Sequence, residues 1–346
     1  MIDLCLHIGG QSFLGWTSAT ITESLDTCAH VFTLSYVDRW IDSAARRRIR
    51  EGDPCELWCA DEVFLTGWVD STELDETASS QRLTVGGRSR TGDLVDCSVI
   101  GGTSEWRDVT LQTLADDILE PFGMFAAFEK DARDTEPFAH FAVEPGETAF
   151  ELLSRAAKQR RLILQTTSSG GLVFSRGKKG RTQTVIKRGV NATSFRVSRS
   201  LADRFSEVRV RAQAEGEGSA WSSALISEAA ATDRSVGRYR PKVVMADAAE
   251  EQARLSERAN FEVASRYARG TRVSVTLPGW RTDEGTVWRA GLLAWVESDW
   301  HEIEEELIVA SVQLSLSNEG EIAQLELCDR AAFDLEPLSK TEDSVL

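Results

Sequence analysis

The chain carries one set of landmarks twice, and this repeat limits its fold more than any single motif. "SLDTCAHVFTL" begins at Ser24 and "SLADRFSEVRV" at Ser200. In "IREGDPCELW" Gly52 follows Ile49 by three residues, and in "WRAGLLAWV" Gly291 follows Trp288 by three. "LTVGGR" ends at Arg88 and "LELCDR" at Arg330. Glycine to arginine spans 36 residues in the first copy and 39 in the second, whereas serine to glycine spans 28 and 91. The excess falls between Ser200 and Gly291. A duplicated β domain whose second copy carries an insertion accounts for the spacing. It predicts that residues 20–90 and 195–333 fold alike, with Arg88 and Arg330 at equivalent sites.

Local patterns divide the rest. Residues 1–100 read as β: "ATITES", "HVFTLSYV", "CELWCA", "VFLTGWV" and "RLTVGG" are short runs of β-branched and aromatic residues between turns. Residues 101–190 form a mixed α/β module. In it Val109, Leu111, Leu114 and Ile118 fall at helical spacing before Pro121 and Gly123, and Phe150, Leu153 and Ala157 share a second helical face. "LILQTTSSGGLVFSR" then reads as a hairpin. Residues 191–335 return to β with a helical insertion at about 212–270, where Leu255, Ala259, Val263 and Tyr267 step by four and Gly270 caps the end. Residues 336–346 read as a loose tail. The fold class is thus mainly β with an α+β middle region.

The stretch "LTVGGRSRTGDLVDCSV", Leu83 to Val99, looks at first like a phosphate loop. Such a loop needs a helix directly after it, so that amides converge on the anion. The next helical pattern starts near Asp108. The glycines therefore read as a sharp exit from the last strand of the first β domain, with Asp93 and Asp96 at the corner.

Composition excludes several classes. A net charge of −16 argues against free nucleic acid as a ligand of the whole surface. No run of about 18 apolar residues spans a membrane. The start, "MIDLCLHIGG", lacks the basic and apolar regions of a secretion signal. Of the six cysteines, Cys5, Cys28, Cys55, Cys59, Cys97 and Cys328, only the pair in "CELWC" is close in sequence. On a strand four residues span about 13 Å, too far for a disulfide or a shared metal ion, so reduced thiols and a cytosolic origin are expected.

Catalytic patterns are weak throughout. "GGLVFSRGKKG" has the wrong glycine spacing for a phosphate loop, places Lys179 where a Ser or Thr would hold magnesium, and lies in a hairpin. There is no Gly-x-Ser-x-Gly elbow. His7, His30, His140 and His301 are dispersed, and "HEIEE" lacks a second metal histidine. The acidic run Glu297, Asp299, Glu302, Glu304, Glu305 and Glu306 reads as a solvated or channel-facing edge. Residues 152–190 hold ten cations and no acid: Arg155, Lys158, Arg160, Arg161, Arg176, Lys178, Lys179, Arg181, Lys187 and Arg188. A basic module on an acidic body points to an acidic neighbour, either another protomer or a partner protein. A further basic run, Arg46, Arg47, Arg48 and Arg50, sits ahead of the Gly52 strand.

Together "FLGWTSATITESLDTCAHVFTLSYVD", "IREGDPCELW", "LTGWVD", "GGRSRTGDLVDCS", "GETAFELLSRAAKQRRLILQTTSSGGLVFSR" and "LPGW…VWRAGLLAWVE" resemble the baseplate hub proteins of contractile-tailed phages. The Mu-type hub and the late control D group are the relevant members. The resemblance implies two tail-tube-like β-barrels per chain, at residues 1–100 and 191–335, and a homotrimer that joins a sixfold tail tube to a threefold spike. It implies as partners the tail tube or distal tail protein, a separate spike protein and baseplate wedge proteins. DNA would meet the lumen only in transit, past acidic walls, with no stable membrane association. The place implied is the virion tail baseplate, assembled in the host cytoplasm. It implies no enzyme activity, no catalytic, cofactor or metal-binding residues, and no cofactor. Two other classes stay open on the residues alone: a tail-associated cell-wall hydrolase, and a carbohydrate-binding β protein using the ten tryptophans.

Overall fold

The computed structural model describes residues 4–38, 49–59, 62–77, 80–100, 104–130, 132–133, 136–160, 162–176, 180–213, 226–246 and 252–333. The first region holds β1 (Leu4–Ile8), β2 (Gln11–Phe13), β3 (Ser18–Ser24), β4 (Val31–Asp38), β5 (Pro54–Cys59), β6 (Glu62–Glu76) and β7 (Gln81–Ser89), then the short helix α1 (Gly92–Asp96). The middle holds β8 (Glu105–Val109), α2 (Leu111–Leu119), β9 (Ala126–Phe128), β10 (Phe138–Ala142), α3 (Ala149–Gln159), β11 (Ile163–Thr166) and β12 (Leu172–Ser175). The last holds β13 (Gly180–Lys187), β14 (Ser194–Arg199), β15 (Glu207–Gln213), β16 (Ile226–Thr232), β17 (Pro241–Met245), α4 (Gln252–Arg269), β18 (Thr271–Pro278), β19 (Leu292–Ser298), β20 (Ile303–Ser317) and β21 (Gly320–Cys328).

The chain forms two compact units, residues 1–195 with 274–327, and residues 196–273 with 328–346. Strands from both ends of the chain share one sheet, in the order β14-β18-β21-β20-β3-β4-β7-β6-β5-β1-β2, with β19 and then β13 branching from β20. Among the described residues this path is open, so neither copy closes on itself as the barrels implied by the resemblance would. The middle region builds its own core on the helices the periodicity predicts. Thr110 caps α2, and Thr148 with Glu151 makes a capping box at α3. Leu111, Leu114 and Ile118 pack with Leu152, Leu153 and Ala157 and with Phe174 of the β11–β12 hairpin.

The second unit is β16-β15-β17 with α4 across it. In it "SEVRV" forms β15 and does not take the place of β4. Leu255 and Ala259 of α4 are buried, whereas Tyr267 is 51 % exposed, with the Arg204 guanidinium 4.4 Å from its ring centre. Apolar stepping therefore predicts the packed face over the first turns only.

The repeat lives in the strand pairing. The first copy runs β3-β4-β7-β6-β5-β1 and the second runs β14-β18-β21-β20-β19-β13. Chain order matches strand for strand once β2, β15, β16, β17 and α4 are set aside. Gly52 and Gly291 are equivalent in detail. Both take a left-handed φ, 84° and 93°, and both donate a 2.8 Å backbone hydrogen bond, to the carbonyls of Val69 in β6 and Val309 in β20. One difference is that β1 pairs antiparallel with β5, whereas β13 pairs parallel with β19. Arg88 and Arg330 are not equivalent: Arg88 lies inside β7, while Arg330 starts a 3-10 turn beyond the end of β21.

The glycines of the opening stretch also have another reason. Gly86 and Gly87 lie within β7, opposite a bulge where Asp70 is the extra residue of β6. A Cβ on Gly87 would stand 2.4 Å from the Trp68 carbonyl and 2.5 Å from the Phe32 ring. Close packing, not an exit turn, selects them. A short helix does follow at once, α1, and Asp96 at its end accepts from Arg88 Nη2 at 2.7 Å.

Candidate assembly surface

The long strand β6 leaves one edge open. Its first half, Glu62 to Trp68, pairs with β5, and Val69 exchanges hydrogen bonds with Gly52 and Asp53. Beyond that point, Ser71 to Glu76 pairs with β7 alone among the described residues. This arm reads Asp70-Ser71-Thr72-Glu73-Leu74-Asp75-Glu76. Leu74 is 63 % exposed. Arg88 Nε holds Asp70 at 2.6 Å at the root, and the Thr72 hydroxyl donates to Glu51. Asp96 and Asp70 together raise the Arg88 pKa further above its ordinary value.

A second open edge is β14, which pairs only with β18 among the described residues. Its sequence, Ser194-Phe195-Arg196-Val197-Ser198-Arg199, is basic. Arg196 and Arg199 are exposed, and the Phe195 ring stacks on His301 at 5.2 Å.

The basic segment finds much of its acidic complement in its own chain. Lys187 Nζ lies 2.7 Å from Glu297, and Arg181 pairs with Glu306. The Lys187 contact holds the Glu297 carboxyl below its usual range and raises the lysine in turn. These pairs flank Val185 and Trp295, which face each other across β13 and β19. Arg188 lies 5.8 Å from the Trp300 ring centre. In the middle region Arg155 is bonded to Glu147 at 2.8 Å, and Arg160 sits 4.1 Å over Phe138, near Glu136. Arg161, Lys178 and Lys179 lie outside the described residues, as do Arg46, Arg47 and Arg48.

A buried ionic link ties the two halves of the large sheet. Glu23 of β3 is 1 % exposed, and Arg289 Nε lies 2.6 Å from its carboxylate. The Arg289 guanidinium covers the Phe64 ring at 3.9 Å, and His30 Nε2 approaches Glu23 at 3.8 Å. The other histidines keep separate company: His7 with Ser12, His140 with Glu105, His301 with Ser298. Among the described residues no three of His, Cys, Asp and Glu gather as a metal set, and no helix is long and apolar enough to cross a membrane. A cleft of about 550 Å³ in the middle region is lined by Cys97, Ile100, Trp106, Ile118 and Phe122, with Asp117 accepting from Trp106 Nε1 at 3.0 Å.

The comparisons with known proteins fall on this layout. The baseplate hub protein gp44 of Escherichia phage Mu is 30 % identical over 337 residues, covering 95 % of this chain and 88 % of that protein. The chain belongs to the Mu-type baseplate hub family. Family models match in series: the GpP-like N-terminal domain of the Mu baseplate assembly protein at 3–89, the second domain of gp44-like hubs at 91–176, the third domain of NMB1110-like tail proteins at 204–260, and the fourth GpP domain at 251–336. A 43 kDa tail protein of prophage MuSo2 from Shewanella oneidensis superposes with a TM-score of 0.84 at 29 % identity, covering 96 % of this chain and all of that one. The tail protein of Neisseria meningitidis MC58 shares the fold, with a TM-score of 0.82 at 21 % identity, over 97 % of this chain and 99 % of that one. A type VI secretion component, Escherichia coli c3393, shares it more loosely, at 0.58 and 11 %, over 93 % of this chain and 76 % of that one. The role of the hub is structural, in the phage tail baseplate.

Proposed function

We propose that this hub assembles as a closed homotrimeric ring that adapts the sixfold tail tube to a threefold spike. The supporting observation is the duplicated strand order, β3-β4-β7-β6-β5-β1 against β14-β18-β21-β20-β19-β13. Two near-equivalent halves per chain let three copies offer six similar positions about one axis. One rim then mates with a tail tube or distal tail protein and the other with the spike, while baseplate wedge proteins attach outside. A net charge of −16 supports a lumen that repels DNA in transit and does not hold it. Assembly belongs in the host cytoplasm, consistent with six free cysteines.

The test is a solution mass of the purified chain together with an image of its particles. A trimeric mass and a ring with six density lobes are expected. A strict monomer at high concentration, or a ring with another number of lobes, overturns the reading.

A further inference from the structure

Tryptophan is mostly a core residue in this chain: Trp16, Trp106, Trp280 and Trp288 are buried. Trp295 and Trp300 break the pattern, at 41 % and 75 % exposed, and they stand only five residues apart. Trp295 faces out of β19 beside Val185 of β13, which is also exposed. The next outward-facing row is ionic: Lys187 of β13, Glu297 of β19 and Glu304 of β20 lie side by side. Trp300 follows in the Asp299–His301 turn that ends β19.

That turn is built to hold its indole out. Ser298 Oγ and His301 Nδ1 are 2.8 Å apart, and the His301 ring stacks on Phe195. The Arg188 guanidinium lies 5.8 Å from the Trp300 ring centre. Glu302 closes the turn at a left-handed φ of 55°, an unfavourable value for a residue with a side chain. Backbone strain of this kind collects at sites where one presentation is used, and fixing that presentation beforehand lowers the cost of binding.

We propose that Trp295 and Trp300 form a platform for a neutral oligosaccharide. This platform is independent of the ring reading above. Three features select the ligand. Sugar rings carry C–H faces that stack on the electron-rich face of an indole. Their hydroxyl edges need donors and acceptors together, and the row between the indoles supplies both. Lys187 and Arg188 donate, and the Glu297 and Glu304 carboxylates accept. Size argues against a folded protein. Two indoles at these exposures offer on the order of 250 Å², and a stable protein interface takes about 800 Å² from each side. Charge argues against a polyanion. Glu297 chiefly raises the Lys187 pKa, and Asp299 and Glu304 are close enough to add to the shift. Carboxylates therefore outnumber cations along the lane and repel phosphate or sulfate groups.

The test uses the full chain in its native oligomeric state. Chitotetraose and cellotetraose are the neutral probes, and a heparin tetrasaccharide is the anionic one. Calorimetric titration is expected to show saturable binding of at least one neutral probe and none of the heparin fragment. Trp300→Ala and Trp295→Ala should each weaken that binding by about tenfold or more. Trp300→Phe should keep most of it, and Leu74→Ala, on the exposed arm of β6, should leave it unchanged. Trp300→Ala removes an exposed side chain and should melt with wild type, so it decides if Trp295→Ala fails to fold. No binding of either neutral probe overturns the platform, and loss of Trp300→Ala hubs from assembled tails then gives this face to a protein partner. Tighter binding of the heparin fragment, or neutral binding indifferent to Trp300→Ala, overturns it as well.

Discussion

Ser24 and Ser200 close the same turn: each hydroxyl accepts the backbone N–H two residues on, from Asp26 and from Ala202, at 3.1 Å. After Ser24 the chain is back in the sheet at Val31, as β4. After Ser200 it departs for β15, β16, β17 and α4, and returns at Thr271 as β18. An insertion placed at a turn leaves every ladder bond of the sheet in place, and lengthening a loop adds closure entropy only slowly. The second unit thus interrupts the duplicated sheet without changing its strand order.

Glu23 and Arg289 predict a strong dependence of stability on one buried pair. Glu23→Gln removes the charge opposite a guanidinium that is itself only 22 % exposed. Breaking a buried pair from one side costs roughly 3 kcal/mol, whereas replacing both partners with apolar groups costs far less. Urea unfolding should show Glu23→Gln well below wild type, and Glu23→Leu with Arg289→Met recovering most of the loss. A single variant within about 0.5 kcal/mol of wild type, the usual range for an incidental surface site, contradicts the role.

Close strand packing predicts which glycines are irreplaceable. A Cβ on Gly67 would lie 1.8 Å from the Arg88 carbonyl oxygen, a clash with backbone that no rotamer relieves. Gly67→Ala should destabilise by about 3 kcal/mol or abolish soluble expression. Gly237 has open space around its Cβ direction and no left-handed φ, so Gly237→Ala should melt within about 2 °C of wild type. Equal melting of the two variants refutes the packing argument.

Thiol chemistry should single out Cys97. Burial pushes the Cys28, Cys55 and Cys59 thiols up to about 12, and Cys5 is raised for the same reason. Cys328 is also buried, whereas Cys97 is exposed. Since the thiolate is the reactive form, a maleimide at neutral pH should label one thiol per folded chain and six after unfolding. Mass spectrometry counts the adducts, and rapid labelling of Cys55 or Cys59 in the native state counts against the buried strand assignment.

Landmarks with a backbone reason were legible in the sequence, and those without one were not. Gly52 and Gly291 need a left-handed φ, and Ser24 and Ser200 need a hydroxyl at a strand end, so both pairs stand out. The Arg88–Arg330 match has no shared geometry and was a coincidence of spelling. "SEVRV" has strand alternation equal to that of "HVFTL", but alternation states that a segment is a strand and not which sheet it joins. The same limit hid the open β6 edge, since pairing is a property of the neighbour. The intrachain partners of the basic segment were hidden for a related reason: the acid that Lys187 meets, Glu297, is 110 residues away in sequence.

Glu284 makes stability at the β13 end of the sheet sensitive to acid. Its carboxylate accepts from the backbone N–H of Gln183 and, at 2.8 Å, from the Thr182 hydroxyl, and the Gln183 bond first of all lowers its pKa to about 2. The ordinary value is 4.5, so the folded state prefers the ionised form. A depressed folded pKa gives stability that is full above the unfolded value and is lost as pH falls through the folded one. The contribution should therefore hold at neutral pH and fade between about pH 4.5 and 2. Glu284→Gln lacks the titrating group. The melting-temperature gap between wild type and this variant should be open at pH 6 and close as the pH approaches 2. A gap that is constant across that window shows that the carboxylate charge does not hold β13 to the Thr282–Thr286 turn.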